Sequence, residues 1–400
     1  MRPSSSRSDP ADGPGLFDEV LARGPLRTAV SDAAWLRALL DVEAALARAQ
    51  AAIGVIPPAA AAAVVEACRP ERYPISALGR AAAGSGNPVL PLVHAIRAAL
   101  PAELADSVHK GATSQDILDT AAMLIAHRAT GPLLADLDVA AGAAARLART
   151  HRDTAMAGRT LLQQAEPTTF GLKAAGWLVA LDEAIDRIVE VRRSRLAVQL
   201  GGAAGTLAGY GESALELPPR VAAELGLAEP LLPWHTDRTR VAELAGALGT
   251  TCGVLGKIAR DITLLAQSEV GEVVEGNPGE SSAMPHKRNP VAAVSALACA
   301  AQAPGLVGTV LTAMVQEHER AAGGWHAEWR PMRELLVATG SAAAWLRDCL
   351  AGLVVNEPAL AANLAQLHEL TGRRGSPGAA GALVDRALAA HDSRTERRVR

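Results

Sequence analysis

Aromatic side chains are nearly missing from this chain, which has six Trp, two Tyr and two Phe among 400 residues. A core without large rings must be filled by Ala, Leu and Val, and such small side chains suit helices packed at close range. Cysteine is sparse too: Cys68, Cys252, Cys299 and Cys349 lie far apart with no Cys-x-x-Cys spacing. That excludes a zinc motif or a disulfide framework and leaves four buried, reduced thiols. Neither sign of charge dominates, since the formal net charge is −3 and basic residues are spread along the chain. A nucleic-acid partner is therefore excluded, and a small molecule or another protein is expected. The stretch Met1 to Gly15 has no apolar h-region and is rich in Ser, Pro and Asp. It reads as a disordered leader rather than a signal peptide, with a cytoplasmic location implied. One uncharged run, Val291 to Gln316, is long enough to span a membrane, but Pro304, two glutamines and many alanines fit a helix buried among helices. No membrane is expected.

What is present is helical periodicity, nearly unbroken, with strand-like alternation hard to find. Leu36, Leu39, Leu40, Leu46 and Ile53 line one face of a helix that starts near Ser31-Asp32 and stops before Pro57-Pro58; Arg37, Asp41, Glu43 and Arg48 are assigned to the other face. From Val241 to about Ala266, Leu244, Leu248, Leu255, Ile258, Ile262 and Leu265 recur close to the seam spacing of bundled helices. Two more long helices run through Leu172 to Val198 and Pro331 to Leu353, and breaks fall at Gly84 to Pro88, Gly201-Gly202 and Gly271 to Pro290. At 400 residues the chain exceeds one simple core, so an all-α fold of two or three subdomains or a long shared bundle is predicted.

Between two of those apolar stretches stands a polar island, Gly279-Glu280-Ser281-Ser282-Ala283-Met284-Pro285-His286-Lys287-Arg288-Asn289-Pro290. Gly, Ser, Pro and Asn are ordinary turn residues, and Lys287 and Arg288 would serve as a solvated pair. A turn, however, requires no particular order of two serines, Met-Pro, a basic pair and Asn-Pro.

That order resembles the Ser-Ser-x-Met-Pro-x-Lys-x-Asn loop of the fumarase/aspartase superfamily. Two further segments match. His109-Lys110-Gly111-Ala112-Thr113-Ser114-Gln115-Asp116 fits a His-x-Gly-x-Thr-Ser-x-Asp pattern, although Asp116 would equally cap the helix that follows. The second runs from Gly158 to Gly171 and contains Arg159, Thr160, Leu161, Gln163 and Gln164. The resemblance implies a long central helical bundle flanked by small N- and C-terminal helical domains. The implied divisions are a leader at 1–15, an N-terminal domain at 16–110, the catalytic and oligomerising bundle at 111–354, and a shortened C-terminal domain at 355–400. It also implies a homotetramer with active sites shared between subunits, and no metal or cofactor. Carried over position by position, Ser281 is the proton donor and acceptor at carbon, while Lys287 and Asn289 stabilise the aci-carboxylate intermediate. His109, Thr113, Ser114, Gln115, Arg159, Thr160, Gln163, Gln164, Ser282, Met284 and Arg320 are implied to hold a tricarboxylate substrate.

The departures select a branch. Amine-releasing relatives have Thr-His where this chain has Thr160-Leu161, and adenylosuccinate lyases add a second His at Gln164. Amines and hydroxide need a general acid, worth about 10²–10⁴-fold. A carboxylate does not, because its conjugate acid has a pKa of ~4. Trp325-His326 and Trp329 stand where adenylosuccinate lyases carry a phosphate-binding Ser-Ser and Arg. Both features resemble the branch that lactonises 3-carboxy-cis,cis-muconate in protocatechuate catabolism. An adenylosuccinate-lyase-like C–N lyase and a catalytically silent structural member are the alternatives. Glu280 stands where the family loop usually has Gly, putting a charge beside Ser281. After Asn363-Leu364 the chain passes quickly to Gly378-Ala379-Ala380, so the helical C-terminal domain is expected to be shortened by an internal deletion of the helices that lie between these stretches in the lactonising branch.

Overall fold

The computed structural model describes residues 15–280, 283–284 and 286–399. Its frame is a bundle of five long helices, Ser114–Thr150, Phe170–Ser194, Thr239–Leu265, Val291–Thr312 and Trp329–Ala351. The fourth is interrupted, with one helix ending at Ala300 and the next starting at Ala303. Pro304 follows in its first turn, where a missing N–H costs nothing.

Direction in the bundle is fixed by one buried and one partly buried ion pair. Asp119 meets Arg238 at 2.8 Å near one end, and Asp136 meets Arg347 at 2.5 Å further along. The first, third and fifth helices therefore start at the same end. The core is Leu, Ile, Val and Ala, including Leu133, Leu137, Ala140 and Ala144 of the first helix at 0% exposure. Each fully buried Leu contributes ~1.5–3 kcal/mol, and alanine lets the axes approach closely. All four cysteines are free and buried as predicted.

Ahead of the bundle, Asp32–Ala52 begins where Ser31 Oγ accepts the Ala34 N–H at 3.2 Å. One assignment on this helix is corrected: Glu43 is buried, not on the polar face. It lies seven residues after Leu36 and so falls on the apolar seam. The scarcity of strands also needs amendment, because Ala155–Thr160 and Gln163–Thr169 form an antiparallel hairpin. Its Gln, Thr and Ala residues do not alternate. Its turn is Leu161-Leu162 at φ 49° and 65°, a left-handed conformation usually filled by Asn-Gly.

The C-terminal region is two helices, Glu357–Thr371 and Ala380–Val399. The last lies along the bundle, with His391 Nδ1 3.0 Å from Asp182 and Arg394 Nε 3.0 Å from Asp186. The leader expected at 1–15 lies, up to residue 14, outside the described residues.

Candidate active site

The candidate residues gather at two opposite ends of the bundle. At the first, Thr113 precedes the helix Ser114–Thr150, and its N–H donates to Asp116 Oδ2 at 3.0 Å. Asp116 is fully buried and does more than cap, since it also accepts the Gly201 and Gly202 amides at 3.0 and 2.9 Å and lies 2.7 Å from His235 Nε2. Helix start and the Gly201-Gly202 break are thereby one unit. Gly111 must be glycine on two counts: its φ is +73°, and a Cβ would come 2.7 Å from Tyr210 Cε1.

His109, at φ 59°, is held through Nδ1 by Glu43 Oε1 at 2.7 Å. Burial would lower its pKa, but the buried Glu43 carboxylate overcomes this and the net shift is upward. Thr113 and Ser114 are half-buried beside it. Gln115 is buried, donating to Asp119 at 3.1 Å and to the His235 carbonyl at 2.8 Å while accepting from Arg320 at 3.1 Å. Trp325 and Trp329 stack edge-on with centroids 4.8 Å apart, and His326 leans on Trp329 at 4.7 Å. Below them Arg238 joins Asp119 and Glu328, and burial raises the Glu328 carboxyl to about 7 against the pull of Arg238.

At the other end, Arg159 forms a two-pronged pair with buried Glu272 at 2.8 and 2.9 Å, and Asn363 donates to Glu272 at 2.8 Å. Arg159 thus ties the hairpin to the bundle and to the C-terminal helices. Thr160 pairs with Gln163 across the turn, Gln164 is half-buried, and Leu161 projects at 97% exposure. The polar loop closes at its base, where Gly279 and Asn289 exchange backbone hydrogen bonds at 2.8 and 3.1 Å. Gly279 cannot be larger, for a Cβ would sit 2.2 Å from Val291 Cγ2. Glu275 caps the following helix through the Ala292 and Ala293 amides at 3.1 and 2.8 Å. Glu280, Met284 and Lys287 are exposed, and the Asn289 amide reaches the Glu280 carbonyl at 3.5 Å. Ser281 and Ser282 lie outside the described residues. Sequence reasoning missed Glu43, Asp119, His235, Arg238, Glu272 and Glu328, ionisable residues that are buried and paired with partners far away in the chain.

The two ends are separated by the 37-residue first bundle helix. At 1.5 Å per residue that is about 55 Å. One chain brings His109, Thr113, Ser114, Gln115 and Arg320 together at one end, and carries the hairpin with Arg159 to Gln164 and the polar loop at the other.

The lyase family profile matches residues 16–305. The chain belongs to this family, of the fumarase/aspartase type. It is 50% identical over 372 residues to a nitrosuccinate lyase of Streptomyces davaonensis, covering 90% of this chain and 77% of that one. It is 48% identical over 361 residues to a 3-carboxy-cis,cis-muconate cycloisomerase of Bradyrhizobium diazoefficiens, covering 89% and 80%. Its fold superimposes on the 3-carboxy-cis,cis-muconate lactonizing enzyme of Pseudomonas putida with a TM-score of 0.88 at 36% identity, covering 95% of this chain and 99% of that one.

Proposed function

We propose that this enzyme is a cofactor-free cycloisomerase that closes 3-carboxy-cis,cis-muconate to 4-carboxymuconolactone. A substrate carboxylate oxygen forms the new C–O bond, the alkene electron pair moves into an adjacent carboxylate as an aci-carboxylate, and the neighbouring carbon takes one proton. Ser281 is assigned the carbon proton, with Lys287 and Asn289 stabilising the added charge. The observation that carries this reading is Leu161, an exposed apolar residue at the hairpin tip where amine-releasing relatives have a histidine. A site without that acid suits a weak base as nucleophile or leaving group. The Trp325-His326-Trp329 stack fills the place of a phosphate-binding set and argues against a nucleotide.

The 50% identical nitrosuccinate lyase supports a second reading, elimination of nitrite, which is likewise a weak base. Ultraviolet loss of carboxymuconate with wild type and Ser281→Ala tests the first. No turnover by wild type overturns the substrate, and equal turnover by the variant overturns the role of Ser281.

We infer that the site is completed by other copies in a homotetramer, since residues about 55 Å apart in one chain must meet. Supporting this, the apolar stretch Val291–Thr312 has only a third of its residues buried within the chain. A light-scattering mass of four chains is expected. We keep the domain divisions after residues 110 and 354, and a cytoplasmic location, as part of this reading.

A further inference from the structure

Arg320 is the one guanidinium at the first end of the bundle assigned to the substrate. Its Nη1 donates to Gln115 Oε1 at 3.1 Å, and its Nη2 to the carbonyls of Gly202 and Ala203 at 3.3 and 2.8 Å. Arginine has five N–H groups, so two remain for a ligand among the described residues. What holds Gln115 decides where those two point.

Gln115 does not reach Arg320 by itself. Its amide nitrogen is pinned by Asp119 Oδ2 at 3.1 Å, one helical turn along, and by the His235 carbonyl at 2.8 Å. This fixes the amide orientation, presenting the oxygen to Arg320. Asp119 is 2% exposed and accepts four hydrogen bonds: from Gln115, from Arg238 Nη1 and Nη2 at 2.8 and 3.1 Å, and from Trp325 Nε1 at 2.9 Å. Arg238, 2% exposed, is shared with Glu328 on the fifth bundle helix's approach. A buried carboxylate with four donors from three segments is stiff, because moving it strands several polar groups at once.

We propose that Asp119 is the positioning residue for substrate carboxylate binding, setting Arg320 through Gln115, with Arg238 as its buried counter-charge and Glu328 as the second carboxylate that holds Arg238. This deepens the site reading above and rests on its assignment of Arg320 to the substrate. Asp119 touches no substrate in this scheme. Its effect is carried by a fixed amide, as second-layer hydrogen bonds fix the geometry of groups in contact with a ligand.

The test uses the assembled full-length enzyme, Asp119→Asn, Gln115→Met and the double variant. Asp119→Asn keeps the shape but removes the charge. Gln115→Met leaves the Asp119–Arg238–Glu328 cluster intact and breaks the link. Gln115 is 1% exposed with its amide already engaged by Asp119, His235 and Arg320, so in this scheme it acts as the link and not as a direct substrate contact, and the proposal stays testable if the first variant folds poorly. Each single variant is expected to raise KM about tenfold with kcat changed less than threefold, and the double variant to add nothing further. Calorimetric titration with propane-1,2,3-tricarboxylate should show the same tenfold weakening. Binding of this probe left intact by both variants overturns the relay, as does additive weakening in the double variant. Absence of probe binding by wild type overturns the carboxylate site and the relay with it. Weakened probe binding in both variants, with no turnover of carboxymuconate by wild type, overturns the substrate reading and leaves the relay standing.

Discussion

Replacing Arg159 by Met should damage the enzyme first as a folded object. Arg159 sits on the hairpin with 23% of its side chain exposed, and its two prongs meet a Glu272 carboxylate with none. Removing one partner of a buried pair costs ~3–5 kcal/mol, because the other charge is left without compensation. Two features reduce that figure here. Arg159 is partly in water, and Asn363 continues to donate to Glu272 at 2.8 Å. About 2–3 kcal/mol remains. With an unfolding entropy of ~2.1 cal/mol/K per residue, a 400-residue chain loses about 3 °C of Tm. Scanning calorimetry of Arg159→Met, Glu272→Gln and the double variant checks this, and the double variant should be more stable than Arg159→Met alone. A Tm loss below about 1 °C, or strictly additive effects, would refute the reasoning.

Further outcomes concern the loop and His109. Gly279→Ala forces a Cβ against Val291, so activity should fall at least about tenfold at nearly unchanged Tm, and a second change, Val291→Ala, should restore it. Glu280→Gly removes a charge beside Ser281. At ~7 Å and an effective dielectric between those of surface and water, one such repulsion is worth about 1 kcal/mol, so KM for a tricarboxylate should fall roughly fivefold. His109 is raised above its ordinary value once Glu43 outweighs burial. Such a histidine stabilises the fold below its unfolded pKa of about 6.5 and loses that contribution as pH rises through the folded value. Denaturant unfolding should show this decline, and Glu43→Gln should flatten it.

The bundle was legible because its signal is repetitive: Leu244 to Leu265 recur at seam spacing, and the helix Thr239–Leu265 follows. Boundaries at Ser31 and Pro57 were legible because caps and proline act locally. The hairpin was not, because Leu161-Leu162 is a poor turn sequence and its strands carry no apolar alternation. Such a turn is held by its surroundings rather than by its own preference. Glu43 was misplaced because charge was weighed above position, although spacing put it on the buried seam. The candidate site was readable as three motifs that included Asp116, while Asp119 and the long-range partners of both carboxylates were not. Asp116 and Asp119 acquire their roles from Gly201, Gly202, Arg238 and Trp325, residues 85 to 206 positions away in the chain.

The central claim is that this site, whose apolar hairpin tip suits a weak base as the reacting group, takes a substrate carboxylate in that place rather than nitrite. The most direct measurement sets kcat/KM for 3-carboxy-cis,cis-muconate beside kcat/KM for nitrosuccinate, with one enzyme preparation in one buffer. Carboxymuconate should be favoured at least about a hundredfold, with 4-carboxymuconolactone as the product. A preference for nitrosuccinate, with stoichiometric nitrite and fumarate, would contradict the account.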